Sequence, residues 1–249
     1  LGLMNATAPD LIQRAYEVGM RHVDTAAFYQ GGRNEEIVGA TIRKMGVRDT
    51  VVIGTKVYLR GVGVSARDPQ ARNAFREVAE ASLRRLRVER IDLYQLHTID
   101  PEVPLEDSLG EIARLQREGK IRHVGVSNFD ADELARARRL VRVVSVQNRY
   151  NVSDRSSDPV LAPCERDGPA FIPWPPPTQS PRALAPDPRR KLAAWATRRG
   201  TSFEQAAIAW LLSRSHVMLP IPGTSQLQHL EENMAAAAVS LTAEEMSMI

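Results

Sequence analysis

Short apolar runs alternate with longer amphipathic stretches along the whole chain, and this alternation predicts the elements. "LGLM" at 1–4 reads as a first strand, and "PDLIQRAYEVG" from Pro9 as a helix with proline in its first turn and Gly19 at its end. "RHVDTA" is the second strand, followed by the helix "NEEIVGATIRKMG", which Asn34 caps with acids in the first turn. Further strands are "TVVIGTKV", "IDLYQLH", "IRHVGVSN", "VVSVQNRYN", "AFIPW" and "HVMLPIPG". Helical patterns separate them: "NAFREVAEASLRRLRV", "LEDSLGEIARLQREGK", "DADELARARRLV" and "PVLAPCERDG". "PRRKLAAWATRRG" and "SFEQAAIAWLLSR" precede the last strand, and "SQLQHLEENMAAAAV" follows it.

Eight strand candidates, each followed by at least one helix, require a parallel sheet whose faces the crossover helices cover. An open doubly wound sheet and a closed (β/α)8 TIM barrel both satisfy the pattern. The count of eight and the length of 249 residues favour the closed barrel. The absence of G-x-G-x-x-G after an early strand weighs against the open dinucleotide fold. No composition break marks a boundary, so residues 1–249 read as a single domain. The stretch "PWPPPTQSPRALAPDP" (173–188) breaks the rhythm: its seven prolines exclude helix and central strand and predict a long loop on the barrel rim.

Hydrophobic residues make up 43% and charged residues 25%, ordinary for a soluble globular domain. No apolar run reaches the roughly 20 residues that span a bilayer, so no membrane segment is expected. The single cysteine, Cys164, allows no intrachain disulfide and fits a reducing cytoplasm. Lys and Arg total 33 against 30 Asp and Glu, a net charge of +3. The basic clusters (Arg84, Arg85, Arg87; Arg136, Arg138, Arg139; Arg189, Arg190, Lys191) read as solvated faces of several helices, not as a nucleic-acid stripe. No His, Cys or carboxylate cluster has ligand spacing, so no metal site is expected. A monomer or weak oligomer is expected.

In such a barrel the chemistry lies at the C-terminal ends of the strands. The second strand ends at Asp24 with Tyr29 just beyond, the third at Lys56 and the fourth at His97. The fifth ends at Ser127 and Asn128, the sixth at Gln147, the seventh at Trp174, and the last runs out into Gly223 and Thr224. A charged Lys and Asp at a buried barrel mouth must pair, because an isolated buried charge is very costly. Taken singly, Asp24 reads as a turn residue, Tyr29 as loop packing and His97 as a structural histidine.

Taken together, these residues sit in the motifs "HVDTAAFY", "VVIGTKV", "IDLYQLH", "IRHVGVSNF", "VVSVQNRYN", "AFIPW" and "IPGTSQLQHLEEN". With these motifs in order over nearly its whole length, the chain resembles the aldo-keto reductase family. The resemblance implies a (β/α)8 barrel that moves a hydride between NADPH and a small-molecule carbonyl, with Asp24, Tyr29, Lys56 and His97 as the catalytic four. It implies that Ser127, Asn128 and Gln147 hold the nicotinamide amide and that Trp174 stacks on its ring. Thr224, His229, Glu232 and Asn233, with the neighbouring Gly223, correspond to the adenosine end. Hydride attack builds charge on the carbonyl oxygen, which needs a proton or donors. On this reading Tyr29 gives the proton, the Lys56 ammonium lowers its pKa from about 10, Asp24 fixes Lys56, and neutral His97 donates a second hydrogen bond. A slow or inactive nicotinamide-binding regulatory subunit of the same fold is the alternative, and a non-redox barrel enzyme a weaker one.

Three departures from the family stand out. The chain opens at "LGLMN" without the N-terminal hairpin of relatives and stops at "TAEEMSMI" without their C-terminal tail, so it reads as a fragment or a chain missing residues. Pro175, Pro176 and Pro177 stand where relatives contact the pyrophosphate, and proline has no N–H to give a phosphate oxygen. Gly223 and His229 stand where relatives often place Lys and Arg against a 2′-phosphate, so a modest preference for NADPH over NADH is expected, with His229 assisting when protonated.

Overall fold

Strands that alternate with crossover helices pair in parallel and in chain order. The computed structural model, which describes residues 1–4, 8–59, 71–175 and 186–249, follows that rule. Strands β1 (His22–Asp24), β2 (Val52–Val57), β3 (Ile91–Leu96), β4 (Ile121–Ser127), β5 (Val143–Arg149) and β6 (Ala170–Trp174) form one parallel sheet in sequence order. The register sets Asp24 beside Gly54, Lys56 beside Gln95, Gly125 beside Ser145 and Ser127 beside Gln147. All six residues of β3 are buried, as a strand covered on both faces requires.

Two further staves close the sheet into a barrel. Asp24 N–H donates to Leu1 O at 2.8 Å and Leu3 N–H to Asp24 O at 3.0 Å, fixing residues 1–3 beside β1. At the other edge Phe171 N–H donates to Val217 O and Leu219 N–H to Phe171 O, both at 2.8 Å. Gly2 N–H reaches Pro222 O at 3.4 Å and completes the ring of eight. The expected eighth strand is thus an extended stave with only an isolated bridge between Phe171 and Met218. Pro220 and Pro222 bring no N–H to a ladder, which is why it does not become a regular strand.

Gly2 is needed at that seam for space. A Cβ there would lie 2.6 Å from the Ile221 carbonyl oxygen, which is backbone and cannot swing away. Gly2→Val is therefore expected to cost roughly 1–3 kcal/mol, the usual range for overpacking, and to lower the melting temperature by about 2–4 °C per kcal/mol. A melting temperature equal to the parent's would show that the first stave does not close the barrel.

Helices α1 (Pro9–Glu17), α2 (Arg33–Met45), α3 (Ala71–Leu86), α4 (Leu105–Arg117), α5 (Ala131–Leu140) and α6 (Asp158–Asp167) follow the successive staves. Helices α7 (Pro186–Arg199) and α8 (Phe203–Arg214) lie between β6 and the last stave, with α9 (Leu227–Ala235) and α10 (Ala243–Met248) after it. The spacing of α4 shows how each packs: Leu105, Leu109, Ile112 and Leu115 are buried along one stripe. Helix α8 is buried nearly all round from Ala206 to Leu211, so its sides face other helices as well as the sheet. No helix among the described residues is long and apolar enough to cross a membrane.

Four local expectations change. Both ends of the proline-rich segment lie in regular elements: Pro173 is within β6, the last strand of the regular sheet, and α7 begins at Pro186. Proline is tolerated in a first helical turn, where its N–H would have no partner, and at a sheet edge. Residues 176–185, with Pro176 and Pro177, lie outside the described residues. Asn34 does not cap α2, whose N-cap is the left-handed Gly32; its side chain instead accepts from Thr25 Oγ1 at 2.7 Å and donates to Leu3 O. The last expected helix ends at Ala235 and tightens into a 3-10 turn over Ala236–Ala238. Arg85 is not on a solvated face: its guanidinium pairs with the fully buried Glu35.

Candidate active site

Alternation along β1, β2, β3 and β5 turns Asp24, Lys56, Gln95 and Gln147 to the same interior, beside an apolar layer of Leu93, Ile172 and Ile221. An ammonium buried to 0% exposure needs acceptors, and Lys56 Nζ donates to Asp24 Oδ1 at 2.6 Å and to Thr25 O at 2.8 Å. The second oxygen of Asp24 accepts from Gln147 Nε2 at 3.1 Å and Gln95 Nε2 at 3.3 Å. Burial raises the pKa of Asp24, but the charges of Lys56 and His22 and the donated hydrogen bonds hold the carboxyl net below its ordinary value. The ion pair expected from the sequence is therefore formed.

Tyr29 enters through the loop after β1. That loop stays on the sheet, with Thr25 N–H on Gly54 O at 2.9 Å and Ala27 N–H on Lys56 O at 3.1 Å. It then turns sharply through Gln30, Gly31 and Gly32, all left-handed with φ of 51°, 64° and 93°. Glu35, one turn into α2, anchors the far side by accepting from Thr55 Oγ1 at 2.6 Å and Arg85 Nε at 2.7 Å. A Cβ at Gly32 would meet Arg85 Cδ at 2.9 Å, so the loop lies directly on that arginine.

The Lys56 ammonium lies 5.3 Å from the centre of the Tyr29 ring. The Tyr29 and His97 rings meet edge-on at 6.3 Å, while Phe28 stacks on His97 at 5.2 Å and meets Tyr29 edge-on at 5.1 Å. Burial pushes His97 down to about 4, with the nearby Lys56 charge in the same direction, so the imidazole is neutral at physiological pH. Burial also raises Tyr29 above the ordinary phenol value. Lys56 acts downward through its charge and a hydrogen bond, as expected, yet burial and Asp24 outweigh it. The net shift is thus opposite to the one read from the sequence, because burial of the phenol, with the Asp24 charge adding to it, outweighs the ammonium.

The next strand ends lie on the same rim. Asn128, in the left-handed conformation at φ 60°, donates through Nδ2 to His97 O at 2.9 Å and Ser127 Oγ at 3.2 Å. Its Oδ1 accepts from Trp174 Nε1 at 3.0 Å, which ties the end of β6 to the end of β4. Beyond the last stave, the Thr224 hydroxyl accepts from Gln226 N–H at 3.1 Å and holds the turn into α9. His229 is exposed on that helix, Glu232 accepts from Gln228 at 3.1 Å, and Asn233 is buried with no partner for its Nδ2.

Known proteins with the same organisation identify the scaffold. The sequence model of the Aldo/keto reductase family matches residues 3–249. The chain belongs to the aldo/keto reductase family. It is 41% identical over 234 residues to an uncharacterized oxidoreductase of Schizosaccharomyces pombe, covering 94% of this chain and 74% of that protein. The crystal structure of the thermostable aldo-keto reductase Tm1743 with the inhibitor epalrestat superposes with a TM-score of 0.88 at 31% identity, over 99% of this chain and 92% of the other. An aldo-keto reductase from Klebsiella pneumoniae, solved in complex with NADPH, superposes with a TM-score of 0.86 at 28% identity, over 99% and 87%. This aldo-keto reductase is accordingly an NAD(P)H-dependent oxidoreductase on a (β/α)8 barrel.

In this aldo-keto reductase the structure gathers Asp24, Tyr29, Lys56 and His97, with Ser127, Asn128, Gln147 and Trp174, at one end of the barrel. Gly223, Thr224, His229, Glu232 and Asn233 form a second group at and after the end of the last stave. Sequence reading missed Gln95, Phe28 and the Glu35–Arg85 anchor. A signal for Gln95 exists, a polar residue at an inward position of "IDLYQLH"; none marks Phe28 or the Glu35–Arg85 pairing, which joins residues 50 apart.

Proposed function

We propose that this aldo-keto reductase reduces an aldehyde or ketone to the alcohol with NADPH, Tyr29 giving the proton. The observation that carries this reading is the buried Asp24–Lys56 pair set beside the Tyr29 phenol, with a neutral His97 across from it. Reduced nicotinamide supplies the hydride when bound. The chain's own residues do the rest. Tyr29 protonates the carbonyl oxygen as charge grows there, and the Lys56 ammonium favours the phenolate left behind. Asp24 holds Lys56 in place, and His97 donates to the same carbonyl oxygen.

The residues present fit the cofactor. Gln147 commits its amide nitrogen to Asp24, leaving its oxygen to accept from a carboxamide N–H. Ser127, Asn128 and Trp174 complete the nicotinamide end. At the other end Asn233 carries a buried Nδ2 without a partner, which an adenine nitrogen would satisfy. Gly223 and Thr224 precede α9, and His229 and Glu232 lie on it with Asn233. Thr224 and the first amides of α9 favour an anion, while no Lys or Arg stands at 223 or 229, so the preference for NADPH over NADH is expected to be modest.

The test is purified protein with NADPH and a panel of aldehydes, ketones and quinones, following the loss of reduced-nicotinamide absorbance. Substrate-dependent oxidation, with NADPH bound more tightly than NADH, is the expected result. Tight NADPH binding with no turnover on any carbonyl would instead identify a nicotinamide-binding regulatory protein.

A further inference from the structure

We propose that Gln95 is a positioning residue for the reaction: it holds the outer oxygen of Asp24 and thereby keeps the inner oxygen on Lys56. The proposal rests on the reductase reading for its kinetic consequence, but its structural content stands on the barrel interior alone. Asp24 Oδ1 is taken by Lys56 Nζ at 2.6 Å, and Oδ2 receives Gln147 Nε2 at 3.1 Å and Gln95 Nε2 at 3.3 Å. A carboxylate only accepts, so the nitrogen of each amide must face it. The far end of Gln95 is fixed as well, its Oε1 accepting from Ser145 Oγ at 3.4 Å.

The backbone is shaped around this contact. Gly125 on β4 lies between β3 and β5, and a Cβ there would stand 2.3 Å from Ser145 Oγ and 2.9 Å from Gln95 Cγ. Any larger residue at 125 would displace both. Gln95 is itself fully buried, where a polar side chain is retained only with its partners made. A neutral donor also suits the place. A second cation on Oδ2 would compete with Lys56 for the carboxylate, whereas an amide fixes the carboxylate's orientation and leaves its charge for the ammonium. Gln147 has the second proposed task of meeting the nicotinamide, so Gln95 is the donor dedicated to Asp24.

The ionisable side chains facing Asp24 are Lys56 on β2, His22 on β1, Tyr29 in the loop and His97 at the end of β3. From β5 it faces the neutral Gln147. Burial holds His22 at about 4, so around neutrality Lys56 is the cation that matters. Loss of the Gln95 donor concentrates more negative charge on the carboxylate beside Tyr29. Asp24 then takes a proton more readily, and the phenol gives one up less readily.

The experiment uses Gln95→Leu, Gln95→Glu and Ser145→Ala in the full chain. Carbon NMR of labelled aspartate carboxyls, with Asp24→Asn to assign the signal, reports the Asp24 titration midpoint without cofactor or turnover. The midpoint should rise least in Ser145→Ala, more in Gln95→Leu and most in Gln95→Glu, where a second carboxyl faces Asp24. At saturating NADPH, kcat of Gln95→Leu should fall roughly tenfold, the size expected for one hydrogen bond to a charged group, and its basic pH limb should move upward. Should Gln95→Leu fail to fold, Ser145→Ala still reads the same shift in smaller measure. An unmoved Asp24 midpoint in the variants overturns the contact. A moved midpoint with an unaltered kcat–pH profile overturns the positioning role. If the parent reduces no carbonyl, it is the reductase reading that fails, and the NMR titration still decides whether Gln95 holds Asp24.

Discussion

Tyr29→Phe is expected to lower carbonyl reduction by about 10² to 10⁴-fold, the usual contribution of a positioned general acid, while NADPH affinity and melting temperature change little. The substitution removes one hydroxyl and keeps the ring that packs edge-on against Phe28 and His97, so the fold has no reason to respond. The pH profile sharpens the expectation. Burial raises Tyr29 above the ordinary phenol value, so the proton to be donated is still present through neutrality and into alkaline solution. His97 sits at about 4 and is neutral over the same range. The parent should therefore show no limb from either group between about pH 6 and 9, given the ordinary phenol value of about 10. Steady-state kinetics of the two proteins across that range is the measurement. A Phe variant that kept most of the activity would move the proton donor elsewhere, with His97 the first place to look.

Lys56→Met is expected to abolish turnover and also to destabilise the protein. Removing the ammonium leaves Asp24 buried at 2% exposure without its cation, and breaking a buried pair from one side costs roughly 3–5 kcal/mol. The carboxyl escapes part of that cost by taking a proton. In the parent its folded pKa lies below the ordinary value, so its contribution to stability is present above the unfolded pKa and is lost as pH falls through the folded one. In Lys56→Met the folded pKa rises, and the sign reverses: the variant should gain stability relative to the parent as the solution is acidified from neutrality. Thermal melts of both proteins between neutral and mildly acidic pH test this. A variant that melted like its parent at neutral pH would mean that Lys56 does not hold a buried carboxylate. An unchanged gap on acidification would mean that Asp24 is not the group left exposed to the penalty.

Much of this protein is legible in its sequence, for reasons that are local. The βα alternation is written in runs of a few residues, because a strand covered on both faces must be apolar almost throughout and a crossover helix must be apolar along one stripe. With a strand's C-terminal end located, the polar residues at or just beyond it are placed at the barrel mouth, which is how Asp24, Lys56, His97, Asn128 and Gln147 could be named together. The Asp24–Lys56 pair followed from charge alone, since neither tolerates burial without the other.

What the sequence could not decide depends on which groups meet across the barrel. The pKa direction of Tyr29 turned on how much burial and Asp24 counted against Lys56, a balance set by three-dimensional distances. The role of Asn34 was misjudged because a cap and a tie to the first stave require the same side chain. Glu35 and Arg85, separated by 50 residues, are each unremarkable until α2 and α3 pack together. Gln95 is the clearest case: its inward position could be read from the alternation of β3, but its partner Asp24 lies 71 residues away on another strand. Local pattern therefore determined the barrel and the rim residues. Only closure of the sheet, bringing β1, β2, β3 and β5 around one carboxylate, decided the hydrogen bonds that hold them.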